Sequence, residues 1–84
     1  MRKSSSAKSQ AFLTHDLGCA AALTSTGFEL VALNKENPQK VQFVFSGTRN
    51  IEAVASEYWA DKLPVKARTL FDNIKMLKNR IYSK

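Results

Sequence analysis

KARTLFDNIKMLKNRIY, residues 66–82, carries apolar side chains at Ala67, Leu70, Phe71, Ile74, Leu77 and Ile81, a spacing of threes and fours that sets all six on one side of a helix. The run contains no Gly or Pro, and the pattern persists for about four turns. It predicts an amphipathic helix whose stripe organises a small core and whose other sides are basic. Leu63 precedes Pro64 and is pushed toward extended backbone, so this helix begins near Lys66 and the one before it stops near Asp61.

Working upstream, NIEAVASEYWA (50–60) places Ile51, Val54, Ala55 and Tyr58 on one stripe and turns Glu52 and Glu57 away, which predicts a second helix with Thr48 as its candidate cap. Before it, FELVAL (28–33) and VQFVFS (41–46) flank the turn-rich NKENPQK and read as a β-hairpin with a loop of about six residues. Period-two alternation assigns Val41, Phe43 and Phe45 to the core face.

A further helix is predicted over Thr14–Thr26, with Thr14 as N-cap, Asp16 in the first turn and Gly27 as the left-handed stop. Leu17, Ala20 and Leu23 share one side; Gly18, Ala21, Ala22 and Ser25 form a second side of small residues. A helix apolar on two sides is packed on two sides. Mid-helix Gly18, about 1 kcal/mol worse than Ala, implies a closely approaching neighbour.

These elements compose a single α+β domain of order α-β-β-α-α over residues 12–84, behind a flexible basic tail at 1–11. A chain of 84 residues has room for one domain only. Because a two-stranded hairpin is marginal alone, the sequence also suggests a homodimer that joins hairpins or packs first helices. Cys19 is the sole cysteine and His15 the sole histidine, so no disulfide framework and no zinc pattern can be written. A reducing, cytoplasmic setting fits this usage. The N-terminal residues lack the apolar segment of a secretory signal, and no run is long and apolar enough for a membrane partner.

THDLGCAAALTSTGFEL (14–30), VQFVF (41–45), EYW (57–59) and VKARTLF (65–71) with LKNRIYS (77–83) together resemble a family of small bacterial and phage proteins catalogued as a domain of unknown function. The similarity covers about residues 12–83 and rests on the order and spacing of motifs that are individually weak. It implies a compact α+β module and carries over no activity, cofactor or catalytic residue. One departure stands out. The family carries an acidic residue after the Val that opens the last helix, and this chain has Lys66, which implies a later start or a weaker cap.

No catalytic set can be assembled. The single histidine would sit in a helix first turn, where the dipole disfavours imidazolium, and Cys19 reads as a small buried hydrophobe without an activating base. The carboxylates are scattered, and no phosphate loop, dinucleotide fingerprint or nucleophile elbow occurs. The expectation is a non-enzyme without metal, cofactor or small-molecule substrate. Binding remains. The formal charge of +6 lies at the ends: Arg2, Lys3 and Lys8 in the first ten residues, and Lys66, Arg68, Lys75, Lys78, Arg80 and Lys84 against Asp72 in the last nineteen. Arg68, Lys75, Lys78, Asn79 and Lys84, with Arg2 and Lys3, are the candidate contacts to DNA or RNA phosphates. Trp59 and Tyr82 are stacking candidates, with edge coverage of a small core as their other reading. The alternative for the whole is a protein-interaction module, partnered by a host or phage protein or by its own copy, whose charge serves solubility.

Overall fold

The computed structural model describes residues 11–47 and 50–83. The chain runs through β1 (Phe12–Thr14), α1 (Leu17–Ser25), β2 (Leu30–Asn34), β3 (Gln42–Phe45), α2 (Ile51–Trp59) and α3 (Ala67–Tyr82). The α+β class and the α-β-β-α-α order hold, with one addition. Phe12–Thr14, where the sequence reading assigns no strand and gives Thr14 the helix cap, is a strand that pairs with β3 and makes the sheet three-stranded, in the order β1-β3-β2. Three residues are too few to show alternation, which is why the strand is silent in the sequence. The tail residues 1–10 and the cap candidate Thr48 lie outside the described residues.

Both outer strands are antiparallel to β3, so β1 and β2 run parallel with β3 between them, and α1 crosses over to join them. On β3 the alternation holds: Phe43 and Phe45 are buried, and Val41 packs against the same core. Their partners across the sheet are Thr14 and Phe12 on one side and Leu33 and Leu30 on the other. A bulge at Val31 shifts the register between Leu30 and Ala32.

The first helix is the most enclosed element. Cys19, Ala20, Ala21, Ala22 and Leu23 are wholly buried, and α1 packs against α3, α2 and β1. Both of its apolar sides are filled within the chain, which removes the reason for packing it on a second copy. The neighbour that Gly18 admits is Tyr58 of α2, whose hydroxyl occupies the space a Cβ would need.

The helix cap belongs to Asp16, not to Thr14: Asp16 Oδ1 accepts from the Cys19 amide at 3.1 Å, while Thr14 Oγ1 accepts from the Asp16 amide. The helix begins at Leu17, so Asp16 holds the N-cap position, and the Thr14 hydroxyl is spent on the Asp16 amide instead. Asp16 Oδ2 in turn accepts from Trp59 Nε1 at 3.1 Å, tying the end of α2 to the start of α1. At its other end α1 closes as expected. Gly27 takes φ +104°, and the amides of Gly27 and Phe28 donate to the carbonyls of Thr24 and Leu23. Asp61, at φ 63°, terminates α2 in the same way, its amide donating to Tyr58 and that of Lys62 to Glu57.

The C-terminus of α3 is held from the hairpin loop. Lys35 Nζ donates to the carbonyls of Arg80, Ile81 and Ser83 at 2.8, 3.3 and 2.9 Å, placing a cation where the helix dipole is negative. Two outcomes follow from these contacts. Asp16→Ala should lower stability by about 1–3 kcal/mol through loss of the cap and of the indole's acceptor; a urea titration followed by Trp59 fluorescence measures it. Lys35→Met should fray the last turn of α3, raising amide exchange at Ile81 and Tyr82 and lowering Tm by about 5 °C.

Candidate functional site

Helix α3 begins at Ala67 with Lys66 in extended backbone at the N-cap position and no side-chain hydrogen bond to the first turn. The weaker cap implied by Lys66 is therefore present. The rotation of α3 about its axis decides which residues are free for function. Leu77 is fully buried, and Leu70, Ile74, Met76 and Ile81 pack against the core. Asn73 Nδ2 donates to Ser25 Oγ of α1 at 2.8 Å, which draws the Asn73 side of the helix inward.

That rotation corrects the expected stripe. Leu70, Ile74, Leu77 and Ile81 face inward as predicted, but Ala67 and Phe71 do not, and the inward direction is turned by roughly 50° from the predicted centre. Phe71 is 59% exposed. A wheel weighted by hydropathy favours Phe71 over Asn73; in the fold it is Asn73 that faces α1, and its bond to Ser25 satisfies an amide that would be costly to leave unmatched there.

The outward face thus carries Arg68, Phe71, Lys75, Lys78 and Tyr82 at spacings of three and four, one continuous line about 21 Å long. Asn79 lies beside it, and so does Asp72, which lowers the local charge. Lys75 Nζ sits over the Phe71 ring, 5.5 Å from its centroid. Four of the predicted contact residues, Arg68, Lys75, Lys78 and Asn79, are therefore exposed on one helix surface; Lys84, Arg2 and Lys3 lie outside the described residues. Of the two aromatic candidates, Tyr82 is 77% exposed and stands on this line. Trp59 is committed to Asp16 and belongs to the α1–α2 junction. Phe71 is the member that sequence reasoning missed. Its signal was its spacing of three from Arg68 and four from Lys75, masked by the ordinary preference of Phe for a core.

Elsewhere several polar groups are spent on the fold. His15 precedes α1 instead of lying in its first turn, and its Nδ1 donates to the Val41 carbonyl at 3.1 Å, fastening the β1–α1 turn to the start of β3. A cleft of about 300 Å³ between the end of α1 and the start of α3 is lined by Ser25, Thr26, Pro64, Val65, Lys66 and Thr69. The Ser25 and Thr26 hydroxyls donate back to Ala21 and Ala22 carbonyls, so neither is poised as a nucleophile. Among the described residues no three His, Cys, Asp or Glu side chains cluster as a metal site would require. Nor is any helix among them long and apolar enough to cross a membrane.

Burial, reinforced by the nearby Asp16 charge, pushes the Cys19 thiol up to about 11, so the folded thiol is protonated at neutral pH. Tyr58 is raised by the same two causes, burial first. The unfolded thiol ionises from about 9.0, whereas the folded one keeps its proton to about 11. The contribution of the Cys19 thiol to stability is therefore full below pH 9 and is lost as pH rises toward 11. Cys19→Ser should flatten part of that alkaline loss in a pH series of urea midpoints. A disulfide reagent at pH 8 should label Cys19 in urea and leave the native protein unmodified.

No curated protein and no solved structure matches this chain. A family model described as Domain of unknown function (DUF5659) matches residues 9–83, which takes in every element from β1 to α3. The chain is accordingly a member of the DUF5659 family, a domain of unknown function.

Proposed function

We propose that this protein is a small, non-enzymatic, nucleic-acid-associated binding protein of bacterial or mobile-element origin, working in the cytoplasm and contacting phosphates through the outer face of α3. The observation that carries the reading is the exposed line on which Arg68, Lys75 and Lys78 stand together, in a chain of formal charge +6. Cations aligned on one helix surface can follow a phosphate backbone, and each phosphate neutralised releases condensed counterions. The free, buried Cys19 suits a reducing compartment.

A second reading has its own support. The helices cover one side of the sheet; on the other, Leu13 pairs with Val44 and Val44 with Ala32, and Leu13 and Val31 are each about half exposed. This apolar surface favours a protein partner or a second copy, as does the outer edge of β2, which is unpaired among the described residues. The bulge at Val31 weakens that edge as a pairing template.

Titration of labelled random-sequence DNA, single- and double-stranded, across a salt series separates the readings. Binding that weakens with salt is expected, and Arg68→Gln/Lys75→Gln/Lys78→Gln should reduce the salt slope by about 2–3. Absence of binding at low salt, or binding indifferent to salt, would sink the phosphate reading. A dimer mass by light scattering at tens of micromolar would favour the second.

A further inference from the structure

We infer that the outer face of α3 selects single-stranded over duplex nucleic acid, with Phe71 and Tyr82 stacking on bases while Arg68, Lys75 and Lys78 meet the phosphates. This inference rests on the phosphate-binding reading of the same face. Its evidence is the pair of aromatic residues interleaved with the cations. Phe71 is 59% exposed and Tyr82 77%, although both lie on the helix that contributes the fully buried Leu77. Trp59 is 55% exposed as well, but its indole holds Asp16 and so has a structural role. Among the described residues no hydrogen bond of that kind engages Phe71 or Tyr82; the Phe71 ring meets the Lys75 ammonium.

A duplex offers this face phosphates but not base planes, because its bases are already stacked on one another. A single strand offers both. The ring of Phe71 lies under Lys75 in the free protein, and an exposed cation–π contact of this kind is weaker than the stacking of a base on an aromatic side chain. A base would therefore displace the ammonium from the ring. The displaced Lys75, on a flexible four-carbon stem, remains within reach of the adjoining phosphate. Phe71 and Tyr82 are eleven residues apart on one line, hence about 16 Å along the axis, roughly the rise of five nucleotides in a stacked strand. The line reads cation, aromatic, cation, cation, aromatic, so it offers partners to both the base planes and the phosphates of a strand, with no sequence preference implied.

The test is fluorescence anisotropy with labelled mixed-sequence DNA and RNA single strands of equal length and with the corresponding DNA duplex, at low salt. At least one single strand is expected to bind about tenfold more tightly than the duplex, and the tighter of the two identifies the sugar the face accepts. Phe71→Leu and Tyr82→Leu, which keep an apolar helix former at exposed positions, should each weaken single-strand binding about tenfold and leave duplex binding within about twofold. Circular dichroism confirms that the variants retain the fold, and Tyr82→Phe should bind like the parent. If salt-dependent binding persists but duplex and single strands bind alike, or the leucine variants leave single-strand affinity unchanged, the stacking inference is overturned while the phosphate reading stands. No binding to any of the three probes overturns both and assigns the face to a protein partner.

Discussion

Close packing around α1 is the constraint on which the other contacts depend. Cys19, Ala20, Ala21 and Ala22 present little more than a methyl or thiol each, so α2, α3 and the sheet can all approach the same nine-residue helix. Individually these side chains bury little area. Their contribution comes from letting larger groups on the surrounding elements, Phe43, Phe45, Ile51 and Leu77 among them, reach each other's neighbourhood at interior packing density. The helix expected to organise the core, α3, is instead one of three layers laid against a central element that is apolar all round.

Polar contacts at element ends then fix how those layers are oriented. Asp16 spends one carboxylate oxygen on the α1 cap and the other on Trp59, so a single side chain sets both the start of α1 and the docking of α2. Asn73 and Ser25 set the rotation of α3, and Lys35 sets its far end. Each contact satisfies a donor or acceptor that would be costly to leave unmatched, and each joins residues more than twenty apart or closes a helix terminus. With Asn73 turned inward, Phe71 lies out of the core and in line with Arg68, Lys75, Lys78 and Tyr82.

That outward line combines a row of cations with two exposed aromatic rings. A charged face alone would be explained by solubility, and a lone exposed aromatic needs no explanation in a small domain. Two exposed aromatics in register with three cations are harder to attribute to either, and Asp72 tempers the charge without interrupting the line. The sole cysteine and the sole histidine are spent on the fold: Cys19 is protonated within the core, and His15 is bonded to a backbone carbonyl.

Local chemistry made much of this legible in the amino-acid sequence. Alternation placed Phe43 and Phe45 inside, Gly27 marked the end of α1, Pro64 separated α2 from α3, and Gly18 announced a close neighbour, since each of these effects acts over a few residues. The exposure of Arg68, Lys75, Lys78 and Asn79 on α3 could be read for the same reason. What only the tertiary structure decided depends on partners distant along the chain. Phe12–Thr14 is a strand because β3 offers it an edge, Asp16 is the cap because the helix begins at Leu17, and Trp59 is structural because Asp16 lies beneath it. Phe71 faces solvent for a similar reason: the Asn73–Ser25 pair holds α3 at an angle that hydropathy alone does not encode.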